Sequence, residues 1–188
     1  MLLLLVSGSL LTACGDDEKN EPLPIPSDVI IPEIKIVDAE GNNLLDPNVP
    51  GNWYGAEMWA EYNGQIEMAL WADYGDQALQ KNSRSYTPTY AGLYEYTECE
   101  YIKGDSASGV TVIPDFSTTV LRFGHFTGER DLDIDVLFTI PELDKTYHIQ
   151  IYNKVIDINK KEVTRWVKCD GELCDGTIIT LVLPHREE

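Results

Sequence analysis

The sequence predicts an all-β fold: an antiparallel β-sandwich of about eight short strands, with a small barrel as the alternative way to close it. Three observations carry this. Apolar and polar residues alternate in several segments, most cleanly Leu132, Ile134, Val136 and Phe138 against Asp131, Asp133 and Asp135. Turn residues separate these segments, with Asn63-Gly64 as the strongest short-range hairpin signal. No segment carries a sustained helical apolar stripe, and 74–84 has room for one or two turns at most.

Taken in order, Ile34 and Ile36 face away from Glu33 and Lys35, which predicts a first strand from Glu33 to Asp38. Residues 39–43 turn the chain, and Leu44-Leu45-Asp46-Pro47 with Pro50-Gly51-Asn52 continue as loop. Trp53 to Tyr62 and Gln65 to Trp71 flank Asn63-Gly64 as a hairpin. A tight turn there aligns Ile66 and Met68 with Glu61, so a bulged turn is expected. Residues 73–90 are weakly patterned. Leu93 to Tyr101 alternates, Val110 to Ile113 stops at Pro114, and Thr118 to Phe123 forms the next strand. Asp131 to Ile140 and Tyr147 to Asn153 follow, then Val163 to Cys169. Ile178 to Leu183 is nearly all apolar, as a central strand covered on both faces would be.

The N-terminus has a different composition. Leu2 to Leu11 is an almost unbroken apolar run that closes on Leu11-Thr12-Ala13-Cys14. A bilayer span needs about 20 apolar residues, and this run fits the shorter core of an export signal. No Lys or Arg precedes it, which implies a short basic piece upstream. Gly15-Asp16-Asp17-Glu18 follows the cysteine. Together these residues resemble the lipobox and acidic export cluster of Bacteroidota-type surface lipoproteins. The resemblance implies a signal peptide over 1–13 and lipidation of Cys14. It further implies a cell-envelope location, anchored by lipid to the outer membrane and exposed at the surface.

Residues 14–32 hold Pro22, Pro24, Pro26 and Pro32 among polar groups and read as a tether with too little apolar surface to fold. One folded domain is expected over 33–188. The tether, the Asp38-Ala39-Glu40-Gly41 turn, the Leu44-Leu45-Asp46-Pro47 loop and the strong last strand resemble small immunoglobulin-like surface lipoproteins of uncharacterised function.

The chain has 188 residues and a formal net charge of −18. That charge argues against nucleic acid and anionic lipid surfaces as partners, so attachment to a membrane falls to the lipid on Cys14. One acyl chain anchors only marginally, and lipoproteins, by resemblance, carry several. Beyond Cys14 the cysteines are Cys99, Cys169 and Cys174. An oxidising compartment permits a bridge between Cys169 and Cys174 at a hairpin tip, if the two strands bring them close enough. Cys99 reads as a buried thiol, with pairing to either of the others open.

Trp53, Tyr54, Trp59, Tyr62 and Trp71 gather around one hairpin. Most read as core, since large aromatics dominate sandwich interiors. Trp53 and Tyr54, at the strand's start, are expected to be the most exposed, and with Trp71 they form the candidate ligand-binding set, suited to stacking on a glycan. The Asp131, Asp133 and Asp135 stripe reads as a solvated face, because a straight ladder does not wrap a calcium ion. Gly104-Asp105-Ser106 echoes a serine nucleophile, and Asp105-Ser106-Ala107 resembles an O-glycan acceptor of Bacteroidota exported proteins. A flexible loop accounts for both. There is no His-Glu-x-x-His, P-loop, dinucleotide fingerprint or paired Cys-x-x-Cys, and His125, His148 and His185 lie in separate elements. No metal, cofactor or catalytic residue is expected. The leading expectation is a non-catalytic surface module that binds a glycan or a protein. The alternatives are an assembly component of a surface complex or fimbria and, last, a carboxylate-based hydrolase.

Overall fold

The computed structural model describes residues 29–71, 92–103, 110–124, 126–157, 159 and 162–187. Cys14 and its flanking signal and acidic cluster, the segment 73–90, the loop 104–109 and His125 lie outside the described residues.

The described chain forms strands β1 (Val29–Ile30), β2 (Glu33–Val37), β3 (Trp59–Tyr62), β4 (Gln65–Met68), β5 (Leu93–Lys103) and β6 (Val110–Phe123). These are followed by β7 (Phe126–Thr127), β8 (Leu132–Ile140), β9 (Lys145–Asp157), β10 (Glu162–Cys169), β11 (Glu172–Leu173) and β12 (Ile178–Val182). A six-stranded sheet runs β11-β10-β9-β8-β3-β4 and a four-stranded sheet runs β12-β2-β6-β5. Buried side chains of both sheets form one core, so the fold is a β-sandwich, and the sheets do not join into a barrel among the described residues.

The alternation seen in the sequence builds the larger sheet. Ile134, Val136 and Phe138 of β8 stand opposite Ile151, Ile149 and Tyr147 of β9, all buried. Each such aliphatic side chain contributes roughly 1.5–3 kcal/mol on full burial. Ile34, Ile36, Leu121, Phe123, Ile179 and Leu181 answer from the smaller sheet. The buried Asn153 in β9 is satisfied rather than stranded. Its amide nitrogen donates to the carbonyls of Gly128 (3.0 Å) and Arg130 (2.6 Å), and its oxygen accepts from Arg165 Nε at 3.0 Å.

Several expectations are corrected. The fold reaches into the proposed tether, because Val29–Ile30 pairs with Phe126–Thr127 and Ile30 is fully buried. The Asn63-Gly64 turn is tight rather than bulged, with φ of 51° and 73° and Tyr62 facing Gln65. Left-handed backbone at both central positions matches the twist of the paired strands. The consequence is that Ile66, Met68 and Leu70 lie exposed, while Ala60 points into the core. Strand β6 runs on through Pro114, and the irregularity falls where the β5–β6 register shifts between Tyr96 and Glu98. β2 pairs with β6 only at Leu121 and Arg122, so Pro114 sits on a stretch with a single strand neighbour.

The largest correction concerns β12. It is an edge strand, not a central one, and it pairs with β2 in parallel, unlike every other strand pair described. Ile179 and Leu181 face the core, while Thr180 and Val182 are exposed.

Candidate functional site

The predicted aromatic set divides. Trp53 is 1% exposed and belongs to the core, which corrects its placement as a surface ligand contact. Its backbone N–H donates to Leu44 O (2.6 Å) and its indole N–H to Pro184 O (2.9 Å), so both donors are used inside the fold. Tyr54 and Trp71 do come together, half-buried, with ring centroids 5.1 Å apart and planes inclined by 53°. Phe116 meets the Tyr54 ring edge-on at 5.8 Å. The polar ends of the pair are engaged internally. Tyr54 hydroxyl donates to Glu95 (3.0 Å) and Trp71 Nε1 donates to Ala56 O (3.1 Å). The trio therefore ties the 53–56 loop to β5 and β6.

A second aromatic pair was not anticipated. Tyr152 and Trp166, cross-strand partners on the outer face of the larger sheet, stack at 5.0 Å with planes 12° apart. Lys168 covers Trp166, its Nζ 4.7 Å from the ring centroid. The signal was available in the period-two pattern of 147–153 and 163–169, but only the strand register puts these two rings opposite each other.

The acidic stripe on β8 behaves as a solvated face. Asp131 pairs with Lys154, Asp135 meets His148 Nε2 at 2.8 Å, and no cluster of potential metal ligands occurs among the described residues. A cleft on the outer face of the smaller sheet, about 440 Å³, contains Arg122. That guanidinium is committed to Glu33 (2.7 Å) and lies 3.2 Å from the centre of the Tyr96 ring.

A second cleft is of a different kind. It lies where the edge of β12 faces β9, β10 and β11, and has a cavity volume of about 500 Å³. The turn that shapes it is the two-residue Asp170-Gly171, with φ of 50° and 84°. That turn sets Cys169 opposite Glu172, and Cys174 N–H bonds to Val167 O. Cys169 and Cys174 are thus diagonal neighbours, not a facing pair, and both thiols are free, so the condition set for a bridge between them is not met. Burial, reinforced by Asp170, pushes the Cys169 thiol up to about 11, and burial also raises Cys174. Cys99 is half-buried rather than buried, and its Sγ donates to Thr97 O at 3.4 Å.

Tyr147 forms part of the cleft and is 4% exposed. Its buried hydroxyl has no hydrogen-bond partner among the described residues. Lys145 stands over the ring, its Nζ 4.4 Å from the centroid, and the Tyr147 hydroxyl is the main influence raising the Lys145 pKa. Asp170, Glu172 and Asp175 are exposed along the same cleft.

The two flanks of the sandwich differ. On the β4–β5 side the chain steps across: Leu70 bridges to Tyr94, with Leu70 N–H donating to Leu93 O (3.1 Å) and Glu95 N–H to Leu70 O (2.9 Å). On the β11–β12 side the chain also steps across through 174–177, where Asp175 bridges to Ile178, but no strand pairs with the outer edge of β12 among the described residues. No described helix is long and apolar enough to cross a membrane. Comparison with protein-family models, with curated proteins and with solved structures finds no match.

Proposed function

We propose that the protein is a lipid-anchored, non-catalytic interaction module of the cell envelope, presented on its tether and binding a protein partner through the open β11–β12 flank. The observation that carries this reading is the asymmetry of the sandwich. Leu70 reaches Tyr94 on one flank, while on the other the contact ends at Asp175 and Ile178 and leaves the rest of the apolar strand β12 as an edge beside a cleft. Exposed apolar edges favour association, and proteins that do not use them blunt them. The anchoring half of the reading rests on the Leu2–Leu11 run and the Ala13-Cys14 junction. A glycan-binding role draws less support, because Trp53 is interior and the polar ends of Tyr54 and Trp71 are engaged within the fold.

The test is fractionation of the full chain with mass spectrometry of its N-terminal peptide. The expected result is an acylated Cys14 in the detergent phase and release of Cys14→Ala to the soluble phase. An unmodified Cys14 in a soluble fraction would overturn the anchoring.

A further inference from the structure

From the open flank, and resting on the interaction reading above, we infer that β12 accepts an added β-strand: an extended, apolar segment of a different protein, flanked by lysine or arginine. The backbone geometry defines the acceptor. Glu33 N–H bonds to Thr177 O and Leu183 N–H to Val37 O, both at 2.9 Å. In a parallel pair the residues that bond a given neighbour alternate, so 177, 179, 181 and 183 face β2. Thr180 and Val182 therefore direct their N–H and C=O groups away from β2, toward the cleft side. Ile178 adds only its C=O, because its N–H is taken by Asp175 O at 3.0 Å. No strand pairs with these groups among the described residues.

An independent observation is the composition of the edge. Ile178-Ile179-Thr180-Leu181-Val182 contains no charge, no proline and no bulge, and Val182 is 61% exposed. Soluble edges normally carry such protection. This edge carries none of it, so nothing on the strand blocks an added one.

Charge selects the occupant. Asp170, Glu172 and Asp175 line the cleft against one cation, Lys145. Basic flanks on the incoming segment complement that rim. A second copy of this chain is disfavoured, since each carries a formal net charge of −18 and two copies repel. Main-chain pairing supplies affinity in such strand addition, and alternate side chains supply specificity.

The test places a photo-crosslinking residue at Val182 of the full chain in its native envelope. A control variant carries it at Leu137 instead, on the exposed outer face of the larger sheet. The expected adduct forms from position 182, and mass spectrometry maps it to an extended segment with lysine or arginine flanks. Thr180→Pro, which deletes an outward N–H without touching the β2 pairing, lowers the yield about tenfold or more. The double variant Glu172→Lys, Asp175→Lys at exposed positions does the same and guards against a folding defect in the proline variant. An adduct insensitive to both variants, one mapped to a second copy of this chain, or one mapped to an acidic segment would overturn the inference. An adduct only from position 137 overturns strand addition and the β11–β12 flank as the binding face, and leaves standing an interaction module that binds through the larger sheet. No adduct from either position removes both.

Discussion

The indole N–H of Trp53 donates to the carbonyl of Pro184 at 2.9 Å, joining two loops 131 positions apart in the chain. This bond fixes the C-terminal end of β12 to the 44–56 loop, and hence the position of the edge on which the proposed function depends. Trp53→Ala empties a fully buried site and is expected to cost about 3–5 kcal/mol. Trp53→Phe keeps most of the volume but strands the Pro184 carbonyl, costing about 1–3 kcal/mol. Urea denaturation of both variants checks the order. A neutral Trp53→Ala would show that the indole is not part of the core.

Gly51 clamps the same region. Its φ is 63°, its carbonyl accepts the Arg186 N–H at 2.7 Å, and a Cβ there would stand 2.8 Å from His185 Cβ and 2.9 Å from Arg186 O. Gly51→Ala is therefore both strained and crowded, and is expected to lower stability by about 1–3 kcal/mol. The melting temperature of the variant is the readout, with Gly41→Ala as comparison, where φ is also positive but nothing lies within 4 Å.

Acid should loosen this end of the fold. Asp38 is buried, and the Asn42 side-chain amide, donating at 2.7 Å, is the main influence holding its carboxyl below the usual carboxylate range. Burial opposes that shift, and the Asn42 and Glu40 backbone N–H groups add to it. A depressed folded pKa means that the stabilisation is complete above the unfolded value near ~3.9 and is lost as pH falls through the folded value. Stability measured from pH 7 down to pH 2 should drop across that window, and Asp38→Asn should flatten the drop.

Sequence alternation made β8, β9 and β10 legible because each buries one face and wets the other, which is the pattern a period of two encodes. Alternation says nothing of β12, because Val182 is apolar although it faces solvent, so the strand reads as buried on both faces. Trp53 was misplaced because Pro50-Gly51-Asn52 signals a surface turn, while the side-chain direction of the next residue is set by the distant Pro184. Val29–Ile30 is too short to show a period and is defined only by its pairing with β7. The cleft was not readable, since Tyr147, Glu172 and Thr180 are brought together by topology alone. The cysteine pair was placed on the right hairpin, but its spacing did not reveal the two-residue turn that sets Cys169 opposite Glu172.

Two substitutions in the cleft probe its chemistry. Tyr147→Phe removes a buried hydroxyl that makes no hydrogen bond among the described residues, so stability should be unchanged or rise by up to about 1 kcal/mol. A loss of that size instead would mean that the hydroxyl is bonded within the fold. Cys169, with its thiol pushed up to about 11, should resist alkylation at pH 8 in the folded protein and react after denaturation; Cys169→Ser removes that signal. Thiol-specific labelling with peptide mapping distinguishes it from Cys99.

The proposed binding flank depends most on the bare edge of β12, and amide-resolved hydrogen exchange of the isolated full chain measures it directly. Ile179 and Leu181, bonded to β2, should exchange slowly, while Thr180 and Val182 exchange far faster, in strict alternation along one strand. Uniformly slow exchange from Ile179 to Val182 would mean that the edge is already covered, and the open flank would not exist.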